Sequence, residues 1–224
     1  EGGKWNHSGE FANLFAAKKT VPTAMRALVA KAGAVLAVAR GPEGQAAVGT
    51  KQGLFLSDKA GTRQVFPRHG HKSWAPTNVT VSYDGLGRLW FASYQGAGRY
   101  ADGKWTLCAG AEGLPYDDMT AVAGGADGTV WFGTAIGAIR YDGSAWAYRQ
   151  GKRWLPSDEV RDIAVDADGN AWVATAGGVS FIHFKGMTLA EKAKHYEDEI
   201  DKYNRRTKFG YVIEAHAPQA GKKT

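Results

Sequence analysis

The chain has 224 residues, of which 44% are hydrophobic and 22% are charged, a composition that is typical of a globular protein and excludes a disordered chain. Its formal net charge of +6 favours a negatively charged partner. No apolar stretch approaches the roughly 20 residues that cross a bilayer. Because Cys108 is the single cysteine, an internal disulfide is excluded, and we interpret Cys108 as a small, half-buried hydrophobic residue.

A repeated pattern runs from about residue 33 to about residue 184. Its matching glycines are 43, 41 and 41 positions apart, within the range of propeller blades; they are Gly53, Gly96, Gly137 and Gly178. The 30 glycines and eight tryptophans suit many short strands, because glycine permits tight turns and large rings fill the space between sheets.

Each repeat has the pattern of an antiparallel four-stranded sheet. An alternating run such as Val160–Val165 predicts a half-buried first strand. An Asp-Gly turn follows it, at Asp84-Gly85, Asp127-Gly128 or Asp168-Gly169. An aromatic second strand, a glycine-containing turn and a third strand come next, before an outer strand with Trp105 or Trp146. The sequence therefore predicts an all-β protein, a β-propeller of four visible four-stranded blades. The propeller is expected within residues 1–186, with repeats of about 33–66, 77–106, 119–147 and 160–184.

The start of the chain complements the fourth repeat. Gly2-Gly3-Lys4-Trp5 resembles Asp102-Gly103-Lys104-Trp105 in an outer strand, and the fourth repeat ends near Phe184 without an outer strand of its own. We expect residues 1–7 to pair with that repeat and close the ring, because an unpaired sheet edge invites aggregation. The alternative is that the chain is cut from a larger propeller. Residues 1–3 include neither an initiator Met nor a hydrophobic signal core, which predicts a processed product, a recombinant product or a piece of a longer protein.

Propeller geometry places the loops that run from an outer strand to the next inner strand on one face, beside the central channel. These loops are residues 6–23, 66–77, 107–117 and 149–158, and most of them are rich in cations. We interpret the face as a site for an anionic ligand such as an acidic polysaccharide, because Arg can bind a carboxylate or sulfate through two hydrogen bonds. The candidate ligand-binding residues are Arg68, His69, His71, Lys72, Trp74, Tyr116, Arg149, Lys152, Arg153 and Trp154. The alternative is that these residues are ordinary solvated loop side chains.

The pair His69-x-His71 raises the question of metal or acid–base chemistry. Two imidazoles could bind zinc, but the sequence positions no third ligand, so neither a metal nor another cofactor is expected. A lyase-like use of His69 or His71 with Tyr94 or Tyr116, as base and acid, makes these four residues weak catalytic candidates. No nucleic-acid recognition module is visible, so nucleic acid is not an expected partner.

The periodicity changes from strand to helix after the fourth repeat. Thr188 and Glu191 form a capping-box pattern. An apolar stripe at helical spacing then predicts an amphipathic helix over residues 187–206, followed by a tail or linker over residues 207–224. The stripe is expected to contact a partner or a missing C-terminal domain through Leu189, Tyr196, Ile200 and Tyr203.

Several motifs together resemble the two-component regulator propeller repeat, which occurs in extracytoplasmic sensor domains of bacteria. They are Gly113-Leu114-Pro115, the run from Asp127 to Thr134 and Ile139-Arg140-Tyr141-Asp142-Gly143, with weaker copies at Leu155-Pro156 and from Asp168 to Thr175. The resemblance implies a propeller fold and a periplasmic or secreted location. Residues 187–193 with 205–212 also look like the junction of larger bacterial proteins in which such a propeller precedes a helical toroid domain.

Three functions remain open on these grounds. The first is a non-catalytic, sensor-like binding or scaffold module that recognises an anionic ligand. The second is an enzyme, a polysaccharide lyase or glycoside hydrolase, with catalysis on the propeller face or in a missing helical domain. The third is a structural subunit that docks through its ring and helix.

Overall fold

The computed structural model describes residues 20–67, 75, 77–183 and 188–206, the last five of these by their main chain alone. The described strands form four antiparallel sheets, and in each sheet the strands are hydrogen-bonded in chain order. The first strands of successive sheets pack against one another along the chain. The predicted all-β propeller with one C-terminal helix is therefore confirmed.

Each sheet is one blade. Blade 1 contains β1 (Val35–Arg40), β2 (Ala46–Thr50), β3 (Gly53–Asp58) and β4 (Gly61–Phe66). Blade 2 contains β5 (Thr80–Tyr83), β6 (Leu89–Ser93), β7 (Gly96–Ala101) and β8 (Lys104–Cys108). Blade 3 contains β9 (Met119–Gly124), β10 (Val130–Thr134), β11 (Gly137–Tyr141) and β12 (Trp146–Arg149). The described part of blade 4 contains β13 (Val160–Val165), β14 (Ala171–Thr175) and β15 (Gly178–Ile182).

A hydroxyl side chain fixes the turn between the second and third strands of every blade. In blade 3 the Thr134 hydroxyl donates a hydrogen bond to the Gly137 carbonyl at 2.8 Å and accepts one from the Ile136 N–H at 3.2 Å. Thr50, Ser93 and Thr175 make the same two bonds in the other blades. Such local side-chain bonds stabilise turns, so the period in the sequence is the period of this turn.

An Asp side chain organises the turn between the first two strands in blades 2 and 4. The Oδ2 atom of Asp84 accepts a hydrogen bond from Trp90 Nε1 at 2.8 Å, and its Oδ1 accepts two backbone N–H groups of the turn. Asp166 likewise accepts one from Trp172 Nε1 at 3.3 Å. The carboxylate thereby connects the turn to the large ring that fills the blade.

Blade 3 lacks this contact, and the reason shows that the predicted alignment of one turn is shifted. The sequence pattern aligned Asp84-Gly85 of blade 2 with Asp127-Gly128 of blade 3. In the structure, the glycine of the blade 2 turn that has the left-handed conformation of Gly128 is Gly87; φ is 75° for Gly87 and 84° for Gly128. Asp84 therefore corresponds to Gly125, which has no carboxylate. As a result, the buried Trp131 Nε1 has no hydrogen-bond partner among the described residues.

Apolar residues of facing blades form the core between them. The Trp90 ring of blade 2 is 1% exposed and lies 5.9 Å from the ring of Phe132 and 5.7 Å from that of Tyr141, both in blade 3. Trp131 of blade 3, also 1% exposed, packs in the same way into the core between blades 3 and 4 with Leu155. Each of these blades thus presents a tryptophan to the blade that follows it.

A short segment that precedes β1 covers the face of blade 1 that points away from blade 2. Val48 and Phe55 on this face pack against Met25 and Val29, which lie in a short segment that precedes β1. That segment is a 3-10 turn, Thr23–Met25, followed by helix α1 (Arg26–Val29). Met25 is completely buried, so the segment belongs to the hydrophobic core of the first blade.

The corresponding face at the other end of the series is more exposed. Val179 and Phe181 of blade 4 are 39% and 45% exposed, whereas Ala138 and Arg140 at the equivalent positions of blade 3 are buried. The strand expected to complete this blade, residues 1–7, lies outside the described residues.

Residues Leu189–Arg206 form helix α2, which belongs to a second compact unit that begins at Lys185. The predicted capping box is present: Thr188 N donates to Glu191 Oε2 at 2.7 Å, and Glu191 N donates to the Thr188 hydroxyl at 3.3 Å. In the part of the chain that the structure describes, no helix is long and apolar enough to cross a membrane.

Candidate functional site

The strand order places two of the predicted ligand-binding loops on one face of the propeller. Because all sheets are antiparallel meanders, the β8–β9 loop, the β12–β13 loop and the turns between second and third strands lie at the same end of the blades. We call this end the loop face. The Asp-containing turns lie at the opposite end.

The end of β12 and the loop that follows it carry two arginines around one tryptophan. The Cζ atoms of Arg149 and Arg153 lie 4.6 Å and 5.5 Å from the ring centre of Trp154. The loop is held in place by Leu155, which is 1% exposed, and by the Ser180 hydroxyl of blade 4, which donates to the Trp154 carbonyl. Trp154 itself remains 36% exposed. We call Arg149, Arg153 and Trp154 the arginine–tryptophan cluster.

The guanidinium of Arg149 has unused hydrogen-bonding capacity. Its Nη1 donates to the Tyr148 carbonyl at 3.0 Å, but its buried Nε has no acceptor among the residues that the structure describes. Burial, followed by repulsion from the Arg140 charge, lowers the pKa of Arg149 below its ordinary value. No described carboxylate lies within ion-pair distance of Arg149 or Arg153. The cluster is therefore positively charged and incompletely neutralised.

The other predicted ligand-binding residues have different surroundings. Lys152 is exposed in the same loop as the cluster. Tyr116 is half-buried and packs against the core between blades 2 and 3. The remaining candidates lie outside the described residues, so their roles stay predictions; they are Arg68, His69, His71, Lys72 and Trp74.

A cavity of about 430 Å³ lies on the loop face where the first strands of the four blades converge. We call it the axial cavity. Its apolar lining includes Leu36, Val81 and Met119. Most of its polar lining comes from the starts of the first strands, the residues just before them and one turn. These residues include Asn78, Thr80, Tyr94, Asp118, Arg161 and Asp162.

Sequence reasoning found only one member of this set as a site residue. Tyr94, a weak catalytic candidate, lies in the cavity wall, but the structure does not bring Tyr116 there. The other lining residues were missed because the candidates were chosen from the cationic residues of the loops. The signal that would find them is a polar residue at or near the start of the first strand of each repeat. Among the described residues, no group of three His, Cys, Asp or Glu side chains could hold a metal ion.

Comparison with protein families identifies one segment of the chain. Residues 155–177 match the family model of the two component regulator propeller. The matched segment begins at Leu155, which anchors the loop of the arginine–tryptophan cluster, and continues through β13 and β14. No curated protein sequence matches the chain.

Solved structures show that the fold around this matched segment is shared. An extracellular domain from Bacteroides thetaiotaomicron, assigned to a hybrid two-component system, has a TM-score of 0.54 at 22% identity, over 70% of this chain and 22% of that one. Another from the same organism, assigned to a one-component system, has a TM-score of 0.54 at 20% identity, over 71% and 23% of the two chains. Virginiamycin B lyase from Staphylococcus aureus has a TM-score of 0.51 at 15% identity, over 67% and 52%. The chain thus spans less than a quarter of the length of the first two.

Proposed function

We propose that this chain is a non-catalytic, sensor-like ligand-binding module that recognises an anionic ligand, such as an acidic polysaccharide, on its loop face. The observation that carries the proposal is the arginine–tryptophan cluster, in which two guanidiniums flank an exposed ring without a carboxylate partner in the described residues.

The chemistry of the cluster suits an acidic sugar polymer. A bound carboxylate or sulfate would accept hydrogen bonds from the arginines, and charge-assisted bonds of this kind are about twice as strong as neutral ones. It would also offset the burial and the Arg140 repulsion that lower the pKa of Arg149. The exposed part of the Trp154 ring can contact the apolar face of a sugar.

The cellular setting is part of the same proposal. The regulator propeller repeat and the fold shared with extracellular domains of B. thetaiotaomicron support a periplasmic or secreted location. The exposed Leu189 and Tyr196 of α2, 85% and 64% exposed, support a contact between this helix and a partner or a further C-terminal domain.

The test is calorimetric titration of the chain with polygalacturonate, a sulfated glycan and a neutral glucan at low and moderate salt. We expect binding to the anionic polymers that weakens as salt rises, because exposed charges are screened within about 10 Å at 0.1 M salt. Arg153→Ala should weaken this binding about tenfold, since a hydrogen bond to a charged group contributes roughly 1.5–3 kcal/mol. Lys104→Ala, which removes one exposed cation from the opposite end of blade 2, is the matched control and should leave affinity unchanged.

Two results would reject the proposal. One is the absence of saturable binding to every anionic polymer. The other is an equal loss of affinity in the Arg153 and Lys104 variants, which would indicate general charge attraction rather than a site. If the chain cleaves a polymer that it binds, the proposal of a non-catalytic module would be rejected in favour of a lyase or hydrolase.

A further inference from the structure

One apolar face of blade 4 is only partly covered by the residues that the structure describes. It points away from blade 3 and carries Val179 and Phe181, which are 39% and 45% exposed. The centre of the Phe181 ring lies 4.6 Å from that of Trp172, which is half-buried. At the equivalent positions of blades 2 and 3, Trp90 and Trp131 are each 1% exposed, because the next blade packs on them. We call the surface around Val179 and Phe181 the open face.

Blade 1 does not provide the missing cover. Its own face that points away from blade 2 is occupied by the segment of Met25 and Val29, both of which are buried. The first strands of blades 1 and 4 both line the axial cavity, through Leu36 and Arg161. They do not pack against each other as the first strands of successive blades do. The two ends of the series of blades therefore border the same cavity without the packing that joins the other blades.

The chain that precedes the described residues contains a candidate cover. Residues 10–19 hold three large apolar side chains at positions i, i+3 and i+4, the spacing of one helix face; they are Phe11, Leu14 and Phe15. Alanines, which are strong helix formers, occupy three of the other positions. Glu10 precedes the apolar residues and Lys18 and Lys19 follow them, an arrangement that the helix dipole favours. The sequence therefore predicts a short amphipathic helix over residues 10–19.

The position of these residues in the chain favours them over a partner protein. They lead directly into the segment that covers blade 1, since the described chain begins at Thr20 and Val21 packs against the same apolar cluster as Met25. Because they are tethered at this end of the series of blades, their local concentration at the open face is on the order of millimolar. Leu28 of α1 is 39% exposed, so the cover of blade 1 offers such a helix a second apolar contact.

We propose that residues 10–19 bind the open face of blade 4 as an amphipathic helix. The apolar stripe of the helix packs against Val179 and Phe181, and the removal of apolar surface from water on both sides stabilises the contact. The inference does not depend on the proposed anion site, since it uses none of the residues of the arginine–tryptophan cluster. It also does not require residues 1–7 to pair with β15.

The experiment measures the accessibility of a thiol placed on the open face of the full chain. In a Cys108→Ser background, Val179→Cys is labelled with a maleimide. Thr106→Cys, on the exposed part of β8, is the control for an uncovered strand position. We expect the thiol at position 179 to react about tenfold more slowly than the thiol at position 106, because labelling requires a local opening of the helix.

A pair of substitutions in the predicted helix identifies the cover. Leu14→Asp with Phe15→Asp places two carboxylates on the apolar face and should make the two thiols react at the same rate. The matched control is Asn13→Asp with Ala16→Asp, which places two carboxylates on the opposite face and should preserve the protection. Equal rates without any change in the helix, or protection that survives Leu14→Asp with Phe15→Asp, would overturn the inference. Protection that grows with protein concentration would also overturn it and would assign the open face to a second copy.

A cross-link keeps the test decisive if the carboxylates on the apolar face disrupt folding, as judged by circular dichroism. A short bifunctional maleimide should join Phe15→Cys to Val179→Cys within one chain, and should not join Phe15→Cys to Thr106→Cys. The inference is wrong if the first pair gives no product, if its product links two chains, or if the two pairs give equal yields.

Discussion

Two tryptophans in equivalent positions allow the value of one buried hydrogen bond to be measured. Trp90 and Trp131 are each 1% exposed and each fills the space between two blades. Trp90 Nε1 donates a hydrogen bond to Asp84, whose side chain has no exposed surface. Trp131 Nε1 has no acceptor in the described residues, because Gly125 occupies the position that corresponds to Asp84. The paired perturbations are Trp90→Phe and Trp131→Phe.

Both substitutions remove part of an aromatic ring, so the packing cost is similar in the two variants. Trp90→Phe also removes a hydrogen bond to a charged group, which contributes roughly 1.5–3 kcal/mol. The lower end of that range applies, because Asp84 keeps its bonds to the backbone of the turn and to Arg88 Nε at 2.6 Å. Trp131→Phe loses no hydrogen bond and removes a buried unpaired donor. We therefore expect Trp90→Phe to lower the free energy of unfolding by at least about 1.5 kcal/mol more than Trp131→Phe, a difference of about 3 °C or more in Tm.

The assay is urea unfolding followed by far-ultraviolet circular dichroism, since tryptophan fluorescence changes with the substitution itself. A double-mutant cycle of Trp90→Phe with Asp84→Asn isolates the energy of the pair from the packing cost. Equal losses in the two tryptophan variants, or a coupling energy near zero in the cycle, would refute the reasoning.

Three further predictions follow from the same structure. Burial raises the pKa of Tyr83 to about 12 from its ordinary value of 10.0. The stability contributed by the neutral phenol is therefore complete below pH 10 and is lost as the pH rises through 12. In urea titrations, the free energy of unfolding of Tyr83→Phe should vary less with pH over that window than that of the unchanged protein. Burial also raises the pKa of the Cys108 thiol, so iodoacetamide should alkylate it far more slowly in the native protein than in urea, and equal rates would contradict its buried position. If residues 1–7 form the outer strand of blade 4, deleting them should lower the urea midpoint while deletion of residues 207–224 leaves it unchanged; an unchanged midpoint in both would show that the expected closing strand is wrong.

The repeat, the blade and the helix cap could all be predicted from the sequence because each depends on local interactions. The Thr or Ser hydroxyl that bonds across its turn lies three residues before the matching glycine, so its period is visible in the chain. The capping bonds between Thr188 and Glu191 likewise join residues three positions apart. Such contacts repeat wherever the same residues repeat.

Which turn residues are equivalent depended on a hydrogen bond across one hairpin, and which side chains meet at the axis depended on contacts between blades. The Asp-Gly pairs misaligned one turn because they record only a preferred local conformation, whereas Asp84 is identified by the Trp90 ring of the same blade, which it binds. The axial cavity joins Thr80, Asp118 and Asp162, which are about one repeat apart in the chain and are brought together only when the first strands converge. The sequence by itself thus determined the blade and its period, because hydrogen bonds within each turn depend on neighbouring residues. Only the tertiary structure decided the position and charge of the cavity, because packing between blades sets which side chains face one another.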